Sequence, residues 1–73
     1  MSDISTKTAK QKRKPKAKLL GANGNIFNLL GIAKDALRAD GQSDKCDELY
    51  QRVTHSHSYD EALSIIMEYV DPV

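Results

Sequence analysis

The chain of 73 residues carries a net charge of +1 and a single cysteine, Cys46. A chain this short forms one domain, whose core supplies only about 3–5 kcal/mol of stability and leaves little room for an enclosed substrate pocket. We therefore expect a protein that is not an enzyme. The single cysteine also excludes the internal disulfides on which small secreted domains depend.

No apolar run approaches the roughly 20 residues that span a bilayer. The first residues are polar and lack the apolar stretch of a secretory signal. We therefore expect a cytoplasmic protein that makes no membrane contact.

Charge is divided unequally along the chain. Residues 1–20 contain seven basic residues and one acidic residue, a net charge of +6. Residues 21–73 contain four basic and nine acidic residues, a net charge of −5. A basic segment attached to an acidic body is typical of a chain whose two parts have different tasks.

The first predicted segment, residues 1–18, is polar and basic, with almost no large apolar side chain. It buries too little surface to offset the entropy lost on ordering, so we predict a disordered basic arm over residues 1–18 and a small helical domain over residues 19–73. Deleting the arm is then expected to leave stability unchanged. Leu19 and Leu20 are candidates for a minimal two-stranded patch with residues 70–73.

The domain is predicted to be all-α, a compact three-helix domain. The first helix is expected over residues 26–39, capped by Asn25 and ended by Gly41. Its buried stripe has the spacing of an amphipathic helix and consists of Ile26, Leu29, Leu30, Ala33, Ala36 and Leu37.

The second helix is expected over residues 44–54, with Ser43 as its cap and acidic residues in its first turn, where the helix dipole favours them. Its apolar side consists of Cys46, Leu49, Tyr50 and Val53.

The third helix begins after Ser58, which forms a capping-box pattern with Glu61, and it ends before Pro72. Its predicted buried stripe consists of Tyr59, Ala62, Leu63, Ile66, Tyr69 and Val70.

From Leu20 onward the chain resembles a family of short, uncharacterised bacterial proteins carried by phages and other mobile elements. The matching features are Gly21-Ala22-Asn23-Gly24-Asn25, a helix with Phe27, Leu30 and Gly31, the run Ala36-Leu37-Arg38, and the pairs Tyr59-Asp60 and Tyr69-Val70. The resemblance implies a bacterial or phage origin. It implies no activity, cofactor or partner.

Three other motifs are weak. His55 and His57 with Cys46 supply fewer ligands than the two close pairs of a structural zinc site, so we expect no metal and no cofactor. Cys46 lies on an apolar helix side and is expected to act as a small hydrophobe rather than a nucleophile. The Gly21–Asn25 turn lacks the Lys-Ser/Thr of a P-loop.

The basic arm is the strongest functional signal. Its candidate nucleic-acid-binding residues are Lys10, Lys12, Arg13, Lys14, Lys16 and Lys18. Such a run neutralises phosphates of DNA or RNA, and without an aromatic residue it is not expected to read sequence. A purely solubilising tail is the alternative interpretation.

A second signal is an excess of apolar residues outside the predicted stripes, namely Phe27, Ile32, Ile65 and Met67. They are candidates for contact with a protein partner or a second copy of the chain. The leading hypothesis is therefore a non-enzymatic binding protein, whose arm contacts nucleic acid without sequence preference while its helical body mediates protein association. The alternative is a protein-only adaptor or inhibitor that acts through its acidic helical surface.

Overall fold

The structure, a computed structural model, describes residues 14–73. Its elements in chain order are β1 (Lys16–Ala17), α1 (Ile26–Ala39), α2 (Asp44–Thr54), α3 (Tyr59–Tyr69) and β2 (Asp71–Pro72). The predicted all-α, three-helix fold is confirmed. No helix within residues 14–73 has the length and apolarity needed to cross a membrane.

Local cap chemistry fixes most helix ends. The side chain of Asn25 accepts a hydrogen bond from the backbone N–H of Phe27 at 2.8 Å, and Ser58 accepts one from Glu61 at 3.1 Å. Gly41, with a φ of +78°, allows Gln42 to donate back to the carbonyl of Leu37 at 2.8 Å, as in a Schellman motif.

Ser43 is the exception among the predicted caps. It precedes α2, but its backbone is helical and its side chain makes no capping hydrogen bond. The first turn of α2 instead contains Asp44 and Asp47, whose negative charges favour the helix N-terminus.

The core lies where the three helices meet. Its fully buried large side chains are Leu37 of α1, Leu49 of α2, Ile66 of α3 and Val70 just beyond α3. Each of the three helices contacts the other two, and the buried side chains of α3 are Ala62, Ile65 and Ile66.

The buried face of α3 corrects the predicted contact surface. Ile65 is only 7% exposed and belongs to the core, and Ile32 is half-buried against it. Of the four residues proposed to meet a partner, Phe27 and Met67 are exposed. Two predicted stripe residues, Tyr50 and Tyr59, are also exposed, because a tyrosine keeps its hydroxyl near water while its ring covers apolar surface.

The two-stranded patch exists, but with a different first strand. Lys16 pairs with Asp71 and Ala17 with Pro72, in parallel, whereas the prediction placed residues 19–20 opposite residues 70–73. Leu20 joins the patch only through its N–H, which donates to the carbonyl of Val73 at 2.9 Å, and its side chain is 73% exposed.

The predicted boundary after residue 18 therefore needs correction, since residues 14–18 are part of the described fold. Ala17 is 3% exposed and Leu19 is 7% exposed, and the residues between and before them, Lys16 and Lys18, face solvent. This alternation is the period of a half-buried strand. Residues 1–13 of the predicted arm lie outside the described residues.

Candidate nucleic-acid interface at the root of the arm

The six predicted phosphate-binding residues divide into two groups. Lys10, Lys12 and Arg13 lie outside the described residues. Lys14, Lys16 and Lys18 lie in the segment that leads into and through β1, which we call the arm root (residues 14–19).

The arm root is fastened to the helical body by its backbone and its apolar side chains. Asp71 donates its N–H to the carbonyl of Pro15 at 2.8 Å, and Val73 donates to that of Ala17 at 2.9 Å. Ala17 and Leu19 are members of the core cluster. Lys16 lies on β1 and Lys18 lies in the turn that follows it, where the N–H of Leu19 donates to the carbonyl of Ala17 at 2.8 Å; both lysines are exposed to solvent.

Lys14 has a structural contact that the sequence did not suggest. Its Nζ donates to the backbone carbonyl of Met67 at 2.8 Å. The last turn of α3 contains no basic residue of its own, and helix C-terminal carbonyls favour a nearby cation. Lys14 therefore serves the C-terminal end of α3 and is less available to phosphate than its neighbours.

Lys16 has acidic neighbours. Asp71 is its partner in the strand register, so the two side chains lie on the same face of the patch. A shallow, open cleft between the arm root and the end of α1 is lined by Lys14, Lys16, Asp40 and Asp71, together with Pro15, Ala36 and Ala39. Its two lysines are balanced by two aspartates, so this cleft alone does not form a strongly positive surface.

A second charged cluster joins α2 to α3. The guanidinium of Arg52 donates to Glu68 at 2.6 Å and to the hydroxyl of Tyr69 at 3.3 Å, and that hydroxyl donates to Glu48. The hydrogen bond from Arg52 holds the pKa of Glu68 below its usual value, and the two acceptors raise the pKa of Arg52. Burial and the bond to Glu48 raise the pKa of Tyr69.

This cluster engages the one arginine of α2, and other cations of the body are also engaged. Arg38 forms an ion pair with Asp35 at 2.7 Å, and Lys34 lies over the ring of Tyr50, 5.2 Å from its centroid. Within residues 14–73, the exposed cations that make none of these contacts are Lys16 and Lys18 of the arm root and Lys45 on α2.

The residues of the weak metal motif have separate partners. Cys46 is buried and its thiol donates to the carbonyl of Lys34 at 3.4 Å, whereas His55 Nδ1 lies 2.7 Å from the carbonyl of Gln51. In the described part of the chain, no three His, Cys, Asp or Glu side chains are grouped as metal ligands would be.

A second cleft lies at the N-terminal end of α1. We call it the aromatic cleft, because Phe27 and Tyr59 are among the side chains that line it. Phe27 is 63% exposed and Tyr59 is 48% exposed, while Ile26, Val53 and Ala62 line the space between them. The Tyr59 hydroxyl donates to the carbonyl of Gly24 at 2.6 Å, which holds the ring in place. The position of Phe27 off the buried stripe was the sequence signal for this surface, but Tyr59 was missed.

No protein-family model, curated protein or solved structure matched the chain.

Proposed function

We propose that this protein is a non-enzymatic binding protein whose basic arm contacts the phosphates of nucleic acid without reading their sequence. The observation that supports this most is the anchored alternation of the arm root. Ala17 and Leu19 attach the segment to the core, so Lys16 and Lys18 face outward and continue the cationic run of residues 10–13.

The binding mode follows from the residue types. Lysine ammonium groups on flexible stems meet phosphates as point charges, and the segment from Lys7 to Lys18 contains no aromatic side chain to stack on bases. Affinity therefore arises from counterion release and depends steeply on salt. Base composition has little effect, because phosphate contacts position a protein without specifying sequence.

The contact of Lys14 with Met67 supports a smaller phosphate-binding set than the six cations of the sequence. Lys14 is committed to Met67, which leaves Lys10, Lys12, Arg13, Lys16 and Lys18 as the phosphate-binding set. Each neutralised phosphate of duplex DNA contributes a slope of about −0.9 in log affinity against log salt. Five cations, not all engaged together, give an expected slope of roughly −3 to −4.5.

The test is titration of the full chain against fluorescent random-sequence duplex and single-stranded DNA at several salt concentrations. Replacing Lys10, Lys12 and Arg13 with Ala is expected to weaken binding and to reduce the slope by about 2–3, because three phosphate contacts are lost. Two duplexes of different sequence are expected to bind equally.

The matched control removes the same number of charges from the body, by replacing Lys34, Arg38 and Lys45 with Ala. Its salt slope is expected to equal that of the parent. Equal losses in the arm and body variants would mean that net charge alone governs binding, and absence of binding by the parent at low salt would refute the proposal.

The second candidate is a protein adaptor or inhibitor that uses the acidic helical body, and the aromatic cleft favours it. Phe27 is exposed beside apolar walls, and the acidic Asp60 and Glu61 follow Tyr59 in the first turn of α3. If this candidate is right, the protein captures a partner from a nuclease-treated bacterial host lysate, and replacing Phe27 with Ser is expected to abolish that capture. Loss of that partner in the arm variant instead would count against this candidate.

A further inference from the structure

The outer edge of β1 presents unpaired backbone groups. Hydrogen bonds from Asp71 to Pro15 and from Val73 to Ala17 show that residues 15 and 17 face β2. Backbone groups alternate between the two edges of a strand, so the N–H and C=O of Lys16 face away from β2. Outside the helices and the strand pair, no backbone hydrogen bond within residues 14–73 engages them.

The two edges of the patch differ in their capacity to accept another strand. On β2 the residue that faces outward is Pro72, which has no N–H to donate. On β1 the corresponding residue is Lys16, with both a donor and an acceptor. Addition of a strand is therefore possible at β1 and obstructed at β2.

The side chains along β1 determine which strand fits. Lys16 is exposed on β1 and Lys18 is exposed in the turn directly after it, so an added strand places its residues beside Lys16 and close to Lys18. Asp71 lies on β2, one strand spacing further away, so the nearest charges to the added strand are positive. Ala36 and Ala39 line the adjacent cleft together with Lys16 and offer apolar contact beside it.

A second copy of this chain is a poor occupant. Antiparallel pairing of two β1 edges sets lysines of one copy opposite lysines of the other, and like charges opposite each other destabilise a strand pair. Pairing of β1 with the outer edge of β2 of another copy meets Pro72. Lysines on an edge strand deter self-association in this way, but they do not deter an acidic strand.

We propose that β1 accepts, as a third strand, an extended peptide segment that alternates acidic and apolar residues. The backbone of Lys16 supplies the main-chain hydrogen bonds, and the ammonium groups of Lys16 and Lys18 select acidic side chains. This is strand addition to an exposed sheet edge. This protein-binding site shares Lys16 and Lys18 with the proposed phosphate contacts, but it does not depend on the contacts of residues 10–13.

The first experiment uses an acetylated, amidated peptide of alternating Val and Glu, added to the isotopically labelled full chain and followed by NMR. The Lys16 amide is expected to shift and to exchange its proton more slowly, because it becomes hydrogen-bonded. The same peptide N-methylated at alternate residues is expected to bind at least about tenfold more weakly, since it cannot complete the strand pair. A peptide of alternating Val and Lys is expected not to bind.

Two variants distinguish the contribution of the Lys16 backbone N–H to peptide binding from that of the Lys16 charge. Lys16→Pro removes the outward N–H and leaves the bonds of residues 15 and 17 to β2 in place, so it is expected to lose the Val/Glu peptide. Lys16→Gln keeps the N–H and removes one charge, so it is expected to retain weakened binding. The amide protection of Asp71 and Val73 reports whether the strand pair is intact in each variant.

Equal binding of the N-methylated and unmethylated peptides would overturn the proposal, because the attraction would then be purely electrostatic. Equal affinity of Lys16→Pro and the parent, with the strand pair intact, would overturn it as well. If Lys16→Pro fails to fold, the comparison of the two peptides on the parent protein decides the matter.

Discussion

Phe27 and Ile66 show that the stability contributed by a large apolar side chain depends on its surroundings. Both are large hydrophobic residues on helices, but Phe27 is mostly exposed and Ile66 is fully buried. Truncation of a buried side chain removes its transfer free energy and leaves a cavity, whereas truncation of an exposed one does neither.

We expect Ile66→Ala to lower the free energy of unfolding by about 2–5 kcal/mol, which approaches the whole stability of a domain of this size. Phe27→Ala is expected to change it by less than about 0.5 kcal/mol. Urea denaturation followed by circular dichroism compares the two directly. A Phe27→Ala variant as unstable as Ile66→Ala would mean that the aromatic cleft is part of the core.

Glu68 links stability to acidic pH. Its pKa in the folded protein is below the usual value because Arg52 donates to its carboxylate, so the folded state binds the proton less tightly than the unfolded state. The stabilisation is therefore present above the unfolded pKa of about 4.3 and is lost as the pH falls through the folded pKa.

Accordingly, the melting temperature is expected to decrease below about pH 4.5, and Glu68→Gln is expected to make this decrease shallower. Asp35→Asn removes a carboxylate from the exposed Arg38 pair and is the matched control. The pH dependence of Asp35→Asn is expected to follow the parent, so a greater flattening in this control than in Glu68→Gln would contradict the assignment.

The starts of all three helices and the ends of the first two could be predicted from sequence because their determinants are local, whereas α3 ends at Tyr69, earlier than the predicted end at Pro72. Amphipathic spacing, the Asn25 and Ser58 caps and the Gly41 turn all act within a few residues of the bonds they make. Ser43 shows the limit of this reasoning, because its residue type suits a cap that its helical backbone does not form.

Strand β1 was missed because its partner lies at the other end of the domain. The alternation from Lys16 to Leu19 was visible in the sequence, but four residues with two lysines and an alanine read equally well as part of a polar tail. Only the hydrogen bonds to Asp71 and Val73 distinguish the two interpretations. A further non-local contact, from Lys14 Nζ to the carbonyl of Met67, was equally invisible in the sequence.

The candidate site was accordingly predictable only in part. The identity and density of the cations follow from composition. Exposure of Lys16 and Lys18 is what a basic surface segment is expected to show. The neighbouring Asp71 and Asp40 could not be placed beside Lys16 from spacing alone. Burial of Ile65 was likewise undetermined until it was known which face of α3 packs against the other helices.

At the scale of the whole molecule, two truncations separate the arm from its root. Deletion of residues 1–13 removes none of the contacts described here and is expected to leave the melting temperature unchanged. Deletion of residues 1–18 removes buried Ala17, the carbonyl of Pro15 and the Lys14 cap, and is expected to destabilise the domain by about 1–3 kcal/mol.

Thermal melts of the two deletions and the full chain measure this difference. Composition alone predicts that residues 1–18 are dispensable for stability, whereas the contacts of residues 14–18 predict that only residues 1–13 are. Identical melting of all three proteins would show that the strand pair contributes nothing to stability.

The pairing of β1 with β2 also has a consequence for the order of folding. Lys14 and Met67 are 53 positions apart, and contacts of such separation form only after the intervening chain has closed into a loop. The helices, whose hydrogen bonds are local, form before it. The arm root is therefore expected to dock last during folding and to detach first during partial opening. A ligand that binds either β1 or β2 then competes with this reversible attachment.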